Sequence, residues 1–151
     1  MTTPRIGIAV LGLSVVCGLM AVVRPRAAQD GVATVWDGVY SIVQADRGAV
    51  VYRKDCASCH GEALTGVDEA PALVGTTFLS NWNGQSVGDL LDLTRKSMPK
   101  DSDNTLTRQE YLDVTAHVLR ANKFPAGEAD LPTSGLRLGQ IRIDPFRAAA
   151  P

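Results

Sequence analysis

The most reactive residues of this chain lie in one short run, Cys56-Ala57-Ser58-Cys59-His60. Two thiols three positions apart, followed at once by an imidazole, form the C-x-x-C-H pattern of c-type haem attachment. The thiols can add across the two vinyl groups of one haem and form two thioethers. His60 then sits under the iron and binds it as proximal ligand. Three other chemistries compete for the same residues. A thioredoxin-like dithiol would want a βαβ setting around Cys56 and Cys59, yet the motif ends a helical pattern and no flanking strands are visible. A zinc site needs four ligands, and the exported part of the chain offers at most Cys56, Cys59, His60 and His117. A structural disulfide needs an oxidising compartment. Haem attachment is the reading that agrees with motif order, export and a loop-rich helical body together.

Export is read from the N-terminus. Ile6 to Val23 is an uncharged apolar stretch of 18 residues, with Arg5 before it and Arg24 and Arg26 after it. That length is at the lower edge of a bilayer span and longer than a usual secretory core. The stretch has no polar face to show to water, which disfavours a buried core helix. Before Gln29 the −1 residue is Ala28 but the −3 residue is Arg26, so a clean small-x-small cleavage site is absent. Residues 1–28 are therefore a signal peptide or, by preference, a signal anchor, and the rest of the chain is expected outside the cytoplasm, in the periplasm, soluble or tethered. Cys17 lies within this stretch and reads as a small apolar residue. Without residues 1–28 the chain keeps 12 bases against 16 acids, two cysteines and one methionine, Met98. The whole chain, 151 residues with a formal charge of −1, fits one domain and excludes a strongly basic nucleic-acid binder.

The motif needs elements to position it. Residues 29–42 read as a lead-in segment. From about Ser41 to Asp55 the pattern suits a helix ending at the motif, with Gly61 as its stop. Gly48 inside that helix costs about 1 kcal/mol relative to Ala, so a close crossing by another helix is expected there. Residues 61–85 read as a long glycine- and proline-containing loop plugged by Leu73, Phe78 and Trp82. Loops of this length are unusual in a compact domain unless they wrap something large, such as a cofactor. Ser86 with Asp89 opens a second helix, and Thr107 with Glu110 forms a fuller capping box for a third, which runs to about Asn122 before Pro125 and Gly127. Between them, Lys96 to Asn104 is a polar loop carrying Met98-Pro99. In the tail, residues 128–151, Leu136 to Ile143 alternate well enough for a short strand or clasp. The exported part is thus all-α in character, about three helices and much loop. A unit of roughly 80 residues is marginal on its own apolar burial and often needs a staple.

These residues resemble the class I c-type cytochromes, small monohaem proteins, over roughly Ala45 to Gly127. Gly48-x-x-x-Tyr52-x-x-x-Cys56 is similar to the family's first helix, and Cys56-x-x-Cys59-His60-Gly61 to its haem-binding element. Pro71-Ala72-Leu73-Val74-Gly75 resembles the loop whose proline carbonyl accepts a hydrogen bond from the proximal histidine; Ala70 stands where the family usually has Gly. Phe78-x-x-x-Trp82 resembles the stretch that covers the haem and reaches a propionate, and Met98-Pro99 the distal ligand loop. Tyr111 through Leu119, with Asn122 and Phe124-Pro125-Ala126-Gly127, looks like the final helix of small cytochromes associated with quinoprotein dehydrogenases. The resemblance implies a cytochrome c-like fold of three to four helices wrapped around one covalent haem c, spanning residues 43–127. It implies that Cys56 and Cys59 bind the haem, that Pro71 and Trp82 line its pocket, and that His60 and Met98 are the axial ligands.

The inventory of donors bears on the sixth ligand separately. A soft sulfur ligand must be Met98, since it is the one methionine left after export, and a polar loop is a poor place for core filler. His117 is the rival, but its mid-helix place between Ala116 and Val118 suits a packing residue. Trp82 needs a partner for its indole N–H if buried, and a propionate would serve. Lys54, Lys96 and Lys100 are candidates for the rim of a docking face. With both axial positions filled the expected function is single-electron transfer, not catalysis, between an extracytoplasmic dehydrogenase, such as a quinoprotein, and an oxidase or cytochrome acceptor. The alternatives are a haem enzyme or gas sensor with an open distal site, and an exported thiol oxidoreductase.

Overall fold

The computed structural model describes residues 32–100 and 105–147. The apolar stretch Ile6–Val23 lies outside the described residues, as do residues 101–104 of the Met98 loop. Among the described residues there are helices and isolated bridges but no strand, and no helix is long and apolar enough to cross a membrane.

The helices are α1 (Ile42–Asp55), α2 (Ala57–His60), α3 (Gly75–Trp82), α4 (Val87–Ser97), α5 (Arg108–Ala121) and α6 (Gly135–Leu138), preceded by a 3-10 turn at Val35–Asp37. Three of the four longer ones begin at local caps. The Ser41 hydroxyl accepts from the Gln44 N–H, Ser86 from Asp89 and Thr107 from Glu110, and the last two are full capping boxes.

The core is built on the pair α1 and α5. Helix α5 is buried on most of its circumference, including Tyr111, Leu112, Val114, Ala116, Val118 and Leu119, as expected of a helix enclosed by its neighbours. Gly48 lets α1 approach it closely, and a Cβ built there would fall 1.8 Å from the Asp113 carbonyl oxygen. The crossing is closed by a buried carboxylate that is fully paired. Asp113 receives Arg47 Nε and Nη2 at 2.9 Å each and Gln109 Nε2 at 2.8 Å. A bidentate guanidinium is the geometry that makes a buried carboxylate tolerable.

Helix α3 corrects the expectation of a continuous loop over residues 61–85. Phe78 and Trp82 have the i, i+4 spacing of one helix face, and their ring centroids lie 6.2 Å apart. The signal was hidden because α3 has no local cap: Val74 precedes it and makes no side-chain cap bond. The tail also differs from a strand. Leu136 belongs to the short helix α6, and the clasp that follows consists of single bridges from Arg142 to Thr34 and to Ser86. Val35 N–H donates to Arg142 O at 2.9 Å, Arg142 N–H to Ala33 O at 2.8 Å, and Ile143 N–H to Gln85 O at 2.8 Å. The lead-in and tail share the core with the helices: Val35, Tyr40, Leu131, Leu138, Ile141 and Ile143 are all buried. Trp36 packs edge-on against Phe124 with centroids 5.0 Å apart, and Tyr40 Oη donates to Phe124 O at 2.6 Å.

Candidate haem site

Cys56 stands at the break between α1 and α2, capping the end of one and the start of the other. Its carbonyl accepts from His60 N at 2.9 Å and from Cys59 N at 3.2 Å. This single turn puts positions i, i+3 and i+4 side by side, so both sulfurs and the imidazole leave one small patch of backbone. Gly61, at φ +76°, ends the turn in a conformation that a β-carbon disfavours. Tyr52 Oη donates to Gly61 O at 2.7 Å, which fastens the exit of the motif to α1.

The two thiols differ in setting. Cys59 is exposed and Cys56 is partly buried. Burial first, then the nearby Asp55 and Cys59, pushes the Cys56 thiol up to about 11. A redox-active dithiol is activated by a lowered pKa, so the raised value runs against the thiol oxidoreductase reading.

His60 is buried, and its Nδ1 lies 2.9 Å from the Pro71 carbonyl oxygen. A carbonyl only accepts, so Nδ1 carries the proton, and in the neutral ring Nε2 is the nitrogen with the lone pair. This is the arrangement of a metal-ligating histidine oriented by a backbone carbonyl. The segment between His60 and Pro71 is wound on itself. Leu64 N–H donates to Gly61 O at 3.0 Å, Gly66 N–H to His60 O at 2.9 Å and Leu73 N–H to Leu64 O at 2.8 Å, and Leu64 is buried beneath. Gly66 takes φ +80°, and a Cβ there would meet Ala70 O at 2.4 Å. Ala70 itself is not among the residues with positive φ, so a β-carbon is tolerated at that position.

Phe78 is buried on α3 and Trp82 is half-buried; among the described residues the Trp82 indole N–H has no hydrogen-bond partner. Met98 is half-buried at the end of α4, where its N–H donates to Thr94 O at 2.9 Å. Tyr111 of α5 donates its hydroxyl to Met98 O at 2.8 Å. His117 faces α1 instead, its ring 5.2 Å from that of Tyr52. Arg120 Nη2 lies 3.3 Å from His117 Nδ1, and a guanidinium only donates, so that nitrogen is the acceptor and the ring is neutral. Burial, then Arg120 and Arg53, holds its pKa below the usual value.

Two residues acquire roles that the sequence pattern did not single out. Tyr111 reads as one more apolar position of α5, yet it holds the Met98 backbone. Asn122 reads as a helix end, yet its side chain reaches Leu73 and Gly75, beside Pro71. Both contacts join distant parts of the chain, so no local pattern announces them.

A family model described as cytochrome c oxidase, cbb3-type, subunit III, matches residues 43–118, a span that includes the C-x-x-C-H turn, Pro71, Trp82 and Met98. The chain belongs to this family of c-type cytochromes. Proteins of this class carry covalently bound haem c and transfer electrons. Among solved structures, this cytochrome is similar to one titled as the crystal structure of the sulfane dehydrogenase SoxCD from Paracoccus pantotrophus, with 23% identity over 86% of this chain and 68% of that one and a TM-score of 0.47. Comparison with curated proteins gives no match.

The residues present fit a covalent haem. Two thiols and a histidine whose Nδ1 is held by a carbonyl share one turn. No group of three or more His, Cys, Asp or Glu side chains converges on a metal-sized site among the described residues.

Proposed function

We propose that this cytochrome is a monohaem electron carrier. Cys56 and Cys59 would hold one haem c covalently, and His60 and Met98 would ligate its iron. When bound, the haem supplies a reversible one-electron couple, whose potential Met/His ligation raises. Pro71 fixes the His60 ring through Nδ1 and so determines which nitrogen is offered to iron. Tyr111 holds the Met98 backbone in place. Trp82 offers its indole N–H to a propionate. With both axial positions taken by side chains, no position is left for a substrate, which supports carriage over catalysis. The donor is a dehydrogenase, such as a quinoprotein, and the acceptor an oxidase or another cytochrome. Residues 43–127 are the haem-bearing domain, between the lead-in 29–42 and the tail 128–151. Residues 1–28 export it, as a signal or an anchor, to an extracytoplasmic site.

The observation that carries this reading is the protonated Nδ1 of His60 held by Pro71 beside two thiols. The test is expression with a haem-attachment system, followed by a denaturing gel with haem stain. The band should stain in the wild type and lose its stain in the Cys56→Ala, Cys59→Ala double variant. Haem that extracts from the wild type into acidic organic solvent contradicts the assignment. The mass of the mature chain separates a retained anchor from a cleaved signal.

A further inference from the structure

Asn122 occupies the C-terminal end of α5, and each polar atom of its side chain is engaged. Nδ2 donates to Leu73 O at 2.8 Å and to Val118 O at 2.9 Å, while Oδ1 accepts from Gly75 N at 3.1 Å. The amide orientation is determined by these partners, because the flipped form would set oxygen against two carbonyls. The bond to Val118 ties the side chain to its own helix. The other two span the segment that leaves Pro71 and enters α3. Helix α3 has no side-chain cap of its own, so Asn122, 47 residues away from Gly75, satisfies the first of its free N–H groups.

We propose that Asn122 is a positioning residue for the proximal ligand: by clamping Leu73 and Gly75 it fixes where the Pro71 carbonyl meets His60 Nδ1. The proposal rests on the reading of His60 as an axial ligand given above. The physical route is short. Leu73 is two residues from Pro71, and the His60–Pro71 bond is 2.9 Å. A carbonyl that holds the Nδ1 proton firmly makes the imidazole a stronger donor through Nε2, and a stronger donor favours ferric iron. Loosening the clamp lets the carbonyl drift, weakens the donor and raises the reduction potential.

The isosteric change Asn122→Asp separates this role from simple capping. At pH 7 to 8 a carboxylate keeps the acceptor for Gly75 N–H and suits a helix N-terminus, but it has lost the donor to Leu73 O. The experiment compares holoproteins of the wild type, Asn122→Asp, Asn122→Ala and His60→Ala. It measures the midpoint potential and the solvent exchange of the His60 Nδ1 proton by NMR. Asn122→Ala is expected to raise the potential, by up to about tenfold in the ferric-to-ferrous equilibrium or about 59 mV for one electron; in Asn122→Asp the added negative charge opposes that rise, so proton exchange is the deciding readout there. Both variants should speed exchange of the Nδ1 proton. Asn122→Asp should itself lose thermal stability, because its second carboxylate oxygen faces the Leu73 and Val118 carbonyls at the C-terminal end of α5. If Asn122→Asp keeps the wild-type proton exchange, Asn122 is a cap only and the proposal falls. Should Asn122→Ala give no folded holoprotein, Asn122→Asp decides alone. A His60→Ala protein with the wild-type spectrum would overturn the ligand reading itself, and the proposal with it.

Discussion

Gly48 of α1 and the backbone of Asp113 in α5 share one volume: a methyl group on the glycine would sit 1.8 Å from the Asp113 carbonyl oxygen. The obstacle is main chain inside a helix, so no side-chain rotation relieves it. Gly48→Ala must part the two helices on which the core is built. The expected cost is about 3 kcal/mol or more, at or above the upper end of ordinary overpacking, read as a fall in the denaturation midpoint of the holoprotein. Gly135 in α6 has open space around its missing Cβ, and Gly135→Ala should be neutral or stabilising by up to about 1 kcal/mol. Equal effects from the two would mean that the close crossing is not where stability is concentrated.

Stability should fall on acidification in two stages. Half-buried His117 has a pKa held below 6.5 by desolvation, then by Arg120 and Arg53, so the fold favours its neutral form. Its contribution is complete above the unfolded value and is lost as pH drops below 6.5. The carboxylates follow at lower pH. Hydrogen bonds from Ser86 to Asp89, from Thr107 to Glu110, and from Ser41 and Arg47 to Asp130 hold all three below their usual values of 3.8 or 4.5. Their contributions are complete above those values and disappear as pH falls past them. Denaturation midpoints measured from pH 7 to pH 3 should show both stages. His117→Phe should remove the upper stage alone and leave the visible spectrum unchanged. An upper stage that survives in this variant would place the titration elsewhere.

The distal side is tested with carbon monoxide. If Met98 ligates the iron as proposed, the reduced wild type should bind it slowly or not at all. Met98→Ala should bind it readily and lower the reduction potential, since the sulfur favours the ferrous state. Tyr111→Phe removes the hydroxyl that donates to Met98 O, and should give an intermediate rate without abolishing the low-spin spectrum. Rapid binding by the wild type would favour a haem enzyme or gas sensor.

The tail separates buried from exposed positions within a single short stretch. Ile143 is fully buried, whereas Leu136 is 85% exposed. Ile143→Ala should cost about 2–5 kcal/mol, and Leu136→Ala less than about 0.5 kcal/mol, in the same denaturation assay. Similar costs would argue that the clasp does not form part of the core in solution.

What could be read in advance divides along the range of the interactions involved. Helices α4 and α5 were legible because each begins at its own Ser or Thr, with the partner N–H three residues on, and α1 because its apolar pattern runs up to the motif and the Gly61 stop. The Cys56–His60 turn was legible as a motif because its reactive residues lie within five consecutive positions. Helix α3 escaped because its cap comes from Asn122, on another helix. The Leu136–Ile143 alternation suggests a short strand or clasp. The clasp is present, but Leu138 is buried as part of a helical turn and Ile141 and Ile143 as part of an irregular segment, so period two alone did not separate the cases. Tyr111 and Asn122 act on residues far along the chain, and their types are equally suited to ordinary helix positions.

The contact between Ala33 and Arg142 also sets an order in time. A chain that emerges N-terminus first delivers Cys56, Cys59 and His60 long before it delivers Arg142, Ile141 and Ile143. Until those last residues arrive, Val35 and Val87 lack the backbone partners that seat them, and the core remains open on that side. The Cys56–His60 turn is therefore complete in sequence before the tail can close the core, and the Cys56 thiol, partly buried in the finished fold, would then be open to the attachment proposed above.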